Sequence, residues 1–191
     1  MPKKLIFLIL VASALALTYY LKQQSSSTTI SYRHLEKLLA SGKWQEADQK
    51  TSKLILVKAS GRGFDEASRG GVDYSEFVKF PCNDLVAIDN LWLKYSRGRF
   101  GLSVQEFILQ PKIQNDELSS SRQKRFYQKV GWTGKPPYRI VFNLNAPQGH
   151  LPSPQWLLDA DPDFTIDGML PYKLDALLLR TKECHQATDK R

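Results

Sequence analysis

The chain has 191 residues, 42% of them apolar, and 27 basic against 19 acidic side chains give it a formal charge of +8. Eleven glycines and two cysteines, beside four tryptophans, eight tyrosines and nine phenylalanines, exclude a collagen, a disordered chain and a disulfide scaffold. That length suits one domain with an appendage.

The appendage comes first. Lys3 and Lys4 precede the uncharged apolar run Leu5–Leu21, and Lys22 closes it. At about 1.5 Å of helical rise per residue this run reaches roughly 25 Å, enough for an untilted crossing of a bilayer core. Tyr19 and Tyr20 fall where interfacial aromatics sit. Residues 1–22 therefore read as a single-pass membrane anchor. A cleaved signal peptide, cut after Ala12-Ser13-Ala14 or Ala14-Leu15-Ala16, is the rival. Basic residues flank both ends, so the side of the membrane stays open. Residues 23–30 are a Ser/Thr-rich linker. They lead into a domain over 31–185, followed by a polar tail over 186–191.

Within that domain Ser31 can cap a helix through Tyr32, Leu35, Leu38 and Leu39 that ends at Gly42. A second helix follows at once with Trp44, Ala47, Thr51, Leu54 and Ile55 on one face, making a helical hairpin. Ala59–Val72, with Gly61, Gly63, Gly70, Gly71, Arg62 and Arg69, reads as a mobile basic loop. Phe80-Pro81-Cys82 opens a third helix through Leu85, Ile88, Leu91, Trp92 and Tyr95, which Gly98 ends. Ser103 and Glu106 form a capping box for a fourth helix through Val104, Phe107 and Ile108. A basic helix spans Arg122–Val130 and buries Phe126 and Val130. Tyr138–Leu144 reads as a short strand or extended run, and Ala146–Pro154, with three prolines, as a loop. A last helix spans Leu170–Cys184, with Leu174, Leu177, Leu178 and Thr181 facing inward. The fold class is mainly α, a single globular helical domain after an N-terminal transmembrane helix.

Catalytic patterns find no match. The acidic stretch Asp159–Asp163 lacks the EF-hand requirements, since Phe164 and Leu170 stand where glycine and glutamate belong. Gly61-Arg62-Gly63 is followed by Glu66 instead of the third glycine of a dinucleotide fingerprint. His34, His150 and His185 sit in no metalloprotease or hydrolase motif. Two cysteines alone build no zinc site. Cys82 reads as a buried free thiol, and a Cys82–Cys184 disulfide makes sense only outside the cytoplasm. The basic run 122–129 reads as a solvated helix face, with no nucleic-acid motif beside it. The expectation is no enzyme, no metal site and no nucleic-acid partner.

Three stretches are more specific than composition explains. They are Phe80–Gln105 (FPCNDLVAIDNLWLKYSRGRFGLSVQ), the pair Val130-Gly131-Trp132 and Ala146–Pro152 (APQGHLP), and Tyr32–Leu35 with Leu39-Ala40 and Trp44–Asp48. Over about residues 31–158 they resemble the porphyrin-binding core of the genomes-uncoupled-four family, tetrapyrrole-binding regulators of magnesium chelatase in cyanobacteria and plastids. The resemblance implies an all-helical, cupped-hand fold with no enzymatic step. Its ligand would be protoporphyrin IX or magnesium protoporphyrin IX, with no obligatory cofactor, and its partner the large porphyrin-binding subunit of the chelatase. A porphyrin is a flat apolar disc with two propionates on one edge, so it needs an apolar shelf and cations at the rim. Tyr74, Phe77 and Val78 match the family segment that offers apolar contacts, with core as the competing reading for Tyr74 and Phe77. Phe100 and Trp132 are second candidates that compete with a place in the core. Arg97 and Arg99 are candidates for the propionates. His150 reads as part of a structural turn.

The sequence departs from the family beyond Pro152, where Ser153–Leu158 and the acidic Asp159–Asp163 stand in place of an arginine-bearing closing segment. The apolar anchor also replaces an N-terminal helical extension. The expected function is a membrane-anchored, tetrapyrrole-binding regulator that presents or sequesters porphyrin. The alternatives are an adaptor that kept the fold and lost the pigment, and an exported domain released by signal cleavage with a Cys82–Cys184 disulfide.

Overall fold

The computed structural model describes residues 32–110, 119–133, 139–154 and 169–188. The chain divides into two units, Met1–His34 and Leu35–Arg191. Of the first, only residues 32–34 are described, and they are helical. The anchor expected over 1–22, the linker, Ser31, the acidic stretch at 159–163 and the polar tail from 189 onward lie outside the described residues. Among those described, no helix is long and apolar enough to cross a membrane.

The described residues form eight helices and no strand. Helix α1 covers residues 32–40, and α2 runs Trp44–Ser60. Between them the amides of Ser41, Gly42 and Lys43 donate back to the carbonyls of Lys37, Leu39 and Leu38. The hairpin is as the sequence implies: Trp44, Ala47, Thr51, Leu54 and Ile55 are all buried along α2.

The glycine-rich stretch is not one continuous loop. Helix α3 occupies Phe64–Gly70 and α4 occupies Tyr74–Val78. Gly63 caps α3, Asp65 and Glu66 complement the positive end of its dipole, and Ala67 is buried. No long apolar period announces such short helices.

Helix α5, Cys82–Ser96, starts after Pro81 and turns Leu85, Ile88 and Trp92 fully inward, while Leu91 and Tyr95 are half-buried. The Trp92 indole N–H donates to Thr51 Oγ1 at 3.0 Å, which satisfies a buried donor and stitches α5 to α2. Trp44 and Phe100 pack on the same ring, with centroids 6.1 and 6.4 Å from that of Trp92.

Helix α6 runs Leu102–Leu109 and corrects the expected capping box. Ser103 already lies inside the helix, and its amide donates to Asp89 Oδ1 of α5 at 3.0 Å. A buried side chain from another helix thus does what a local Ser/Glu pair was expected to do. Phe107, expected inward, is 73% exposed, because α6 buries Leu102, Val104 and Gln105 instead.

Helix α7, Ser119–Val130, buries Phe126 and Val130 as expected. No strand forms over residues 139–144. The Val141 amide donates to His150 Nε2 instead of to a neighbouring backbone. Helix α8, Met169–Thr188, continues one turn past the expected end and buries Leu174, Leu177, Leu178 and Thr181. It packs against α4, α5 and α6. The expectation of a free Cys82 is overturned: Cys82 and Cys184 form a disulfide that joins the first residue of α5 to α8.

Candidate functional site

The site residues expected from the sequence fall on three stretches of backbone, the last being Trp132 just past α7. The first is α4 with the turns around it. Asp73 and Glu76 form a reciprocal capping box, the Asp73 amide donating to Glu76 Oε2 at 2.7 Å. Arg62 closes the same feature from the far side of α3. Its guanidinium donates to the Gly71 carbonyl at 2.7 Å and pairs with Glu76 Oε1 at 3.2 Å. This half-buried clasp holds a five-residue helix that could not persist alone.

The clasp decides which faces α4 shows. Phe77 points into the core, fully buried, as does Phe80 just beyond it. Tyr74 and Val78, four residues apart and so on one helix face, are 52% and 40% exposed. Phe64, at the start of α3, is 38% exposed, with Lys53 Nζ 5.0 Å from its ring centroid. Of the three apolar candidates here, Tyr74 and Val78 present surface and Phe77 supports them from below. The helix α8 packs on α4 from the other side.

The second stretch is the α5–α6 turn with the loop 146–153. Arg97 caps α5 in the left-handed conformation (φ 56), and its side chain is exposed. Arg99 is tied to the loop, its guanidinium donating to the Ala146 carbonyl at 2.8 Å and its own carbonyl accepting from the Gly149 amide. Among the described residues Arg97 has no acidic partner, so it is the more available cation of the two.

Phe100 is fully buried, edge-on to Trp44 at 5.8 Å, and Trp132 is 1% exposed, edge-on to Phe126 at 5.5 Å. The Trp132 indole N–H donates to the His150 carbonyl at 2.9 Å. Both aromatic rings therefore occupy the core, the competing reading at these positions.

The polar residues of the motif strings are the fasteners of this region. Asp48 is 3% exposed, and its two oxygens accept the Ser153 amide and hydroxyl, each at 2.6 Å. Gln105 Nε2 donates to the carbonyls of Gly149 and Pro152. The imidazole of His150 bridges the Val130 carbonyl at Nδ1 and the Val141 amide at Nε2. Accepting at Nε2 fixes the tautomer with the proton on Nδ1. Burial holds the His150 pKa below its ordinary value, partly opposed by the bond to Val130. Gly101 takes φ 142, and a Cβ there would meet Asp89 Oδ1 at 2.7 Å. Asp48, Gln105 and Asp89 were not expected as key residues, although all three lie inside the recognised strings. Their place inside those strings was the available signal.

The first two stretches thus expose an aromatic and aliphatic face on α4 and, separately, the Arg97 guanidinium, which has no acidic partner among the described residues. Among the described residues no group of three or more histidine, cysteine, aspartate or glutamate side chains is placed to hold a metal ion.

Comparison with known proteins gives these features a context. A family model described as GUN4-like matches residues 25–160, which takes in α1–α7 and the loop to Pro154 and leaves α8 outside. The uncharacterized protein ycf53 of Pyropia yezoensis is 32% identical over 133 residues, covering 66% of this chain and 52% of that one. A chloroplastic tetrapyrrole-binding protein of Arabidopsis thaliana is 36% identical over 132 residues, covering 62% of this chain and 46% of that one. The chain thus spans about half the length of the curated relatives it matches. The ligand-free structure of Arabidopsis thaliana GUN4 superposes with a TM-score of 0.54 at 31% identity, covering 78% of this chain and 91% of that one.

Proposed function

The chain belongs to the GUN4-like family, and on that footing we propose that it is a non-enzymatic regulatory domain that binds a tetrapyrrole. The reading rests on one observation above all. Tyr74 and Val78 leave half of an aromatic ring and much of an aliphatic side chain in water, on a helix clamped by Arg62, Asp73 and Glu76. Such a rigid apolar face loses little entropy when a flat ligand covers it. The matched Arabidopsis protein is itself named a tetrapyrrole-binding protein.

The proposed ligand is protoporphyrin IX or magnesium protoporphyrin IX. In this reading Tyr74 and Val78 carry the disc, Phe77 fixes their position from the core, and Arg97 supplies charge for a propionate. Arg99 spends its guanidinium on the loop and contributes by holding the turn in place. Phe100 and Trp132 hold the second stretch from within. Of two finer roles, stimulation of magnesium chelatase through its large subunit, which the resemblance implies, and handling of pigment at a membrane, which the apolar run suggests, we put forward the second. The uncharged run Leu5–Leu21 supports it, since tethering raises effective concentration beside membrane partners.

Titration of the full chain with protoporphyrin IX, followed by the Soret band and tryptophan quenching, tests the proposal. Saturable binding at micromolar pigment is expected, and Tyr74→Ala should weaken it by about tenfold, the cost of one lost aromatic contact. No saturable change would leave the adaptor reading in its place.

A further inference from the structure

The two sulfurs carry information that pigment binding does not use. We infer that Cys82 and Cys184 are an oxidative modification site, a dithiol that a disulfide-donating protein closes, and that the domain accordingly works on the oxidising side of a membrane. This stands independently of the tetrapyrrole reading.

Cys82 and Cys184 are the only cysteines of the chain, 102 residues apart, and they are bonded to each other. With no third thiol, the pair cannot shuffle to another partner. Their spacing is far from the C-x-x-C of thioredoxin-like redox enzymes.

Contacts other than the bond also hold the two segments together. Arg180 of α8 donates from Nε to the Phe80 carbonyl at 3.1 Å, two residues before Cys82. His185, next to Cys184, lies with Nε2 2.8 Å from Asp89 Oδ2 of α5. Leu177, Leu178 and Thr181 are buried along the same helix. A reduced chain would therefore hold its two thiols side by side at high effective concentration, which favours oxidation. Cys184 is fully buried, so an attacking thiolate gains little access to its sulfur.

In closing the bond the two thiols lose two electrons and two protons, and the donor's disulfide takes them up as a dithiol. Donors of that class work in exported compartments, whereas reducing compartments keep such pairs as thiols. The run Leu5–Leu21 behind Lys3 and Lys4 provides the means of export, whether it stays as an anchor or is cut. The cross-link also fixes α8, which lies outside the segment matched by the family model, against the helices that follow the α4 face.

The test uses the full chain in the cells that make it. Acid-quenched extracts are alkylated with maleimide–polyethylene glycol before or after reduction in denaturant. No label before reduction and two labels after it are expected. Two labels before reduction overturn the inference, and so does a mixture of zero and two, which would mark a reversible thiol switch. Protease added to right-side-out membrane vesicles or to intact spheroplasts gives the second readout. Protection of the domain from protease outside the membrane also overturns the assignment.

Discussion

Asp48 is the clearest place to test how this fold holds its loop. Its carboxylate is 3% exposed and accepts both the amide and the hydroxyl of Ser153, which is itself fully buried. Hydrogen bonds to an ionised group contribute about 1.5–3 kcal/mol each. Asp48→Ala removes two and leaves two donors without an acceptor, so it should destabilise by about 3–5 kcal/mol. Asp48→Asn keeps one carbonyl oxygen for the Ser153 amide and turns an amide toward a hydroxyl that can accept. Its cost should be nearer 1–2 kcal/mol. Ser153→Ala should cost a similar amount, and the double variant Asp48→Ala/Ser153→Ala should cost less than the sum of the two by about 1–2 kcal/mol. Urea unfolding followed by tryptophan fluorescence measures each value, with the slope of the transition checked for constancy. Additive costs in the double variant, or an Asp48→Ala penalty below about 1 kcal/mol, would refute the claim that this pair pins the loop to α2.

Three further outcomes follow from the same geometry. Gly101→Ala must place a Cβ against Asp89 Oδ1 at a positive φ, so a loss of about 2–3 kcal/mol is expected, with faster hydrogen exchange at the Ser103 amide; unchanged exchange there would count against the Asp89 cap. His150 has a native pKa lowered by burial, so the unfolded chain takes up its proton first as pH falls. Stability from this group is full above about pH 6.5 and is lost as pH drops through the lowered native value; urea midpoints for His150→Gln should show a flatter slope over that window, and an equal slope would refute the assignment. Replacing Cys82 and Cys184 together by serine opens a loop of 102 residues' separation, for which the chain-entropy model gives about 4–5 kcal/mol. A fall in urea midpoint matched by wild type in reductant is expected, and two indistinguishable midpoints with and without the bond would refute it.

The amphipathic helices were legible from the sequence because their burial follows their own period. α2, α7 and α8 each turn the expected residues inward, α5 does so for Leu85, Ile88 and Trp92, and Pro81 and the glycines mark their ends. The family was legible for a related reason. Its strings are dense in residues that fasten helices to loops, such as Asp48, Gln105 and Trp132, and each admits few substitutes. At the candidate site only part was readable. The i, i+4 spacing of Tyr74 and Val78 places them on one face, but which face meets water depends on the Arg62–Glu76 clasp and on α8 behind it.

What the sequence by itself determined is the helical class, the core stripe of each long helix and the family, all of which rest on local period or on contiguous strings. Only the tertiary structure decided that Phe77, Phe100 and Trp132 are enclosed, that α3 interrupts the glycine-rich stretch, that Asp89 caps α6 and that Cys82 meets Cys184. Most of these depend on a partner well removed along the chain, up to 102 residues away for the cysteines. Packing, unlike helix periodicity, is a property of pairs that no local window contains.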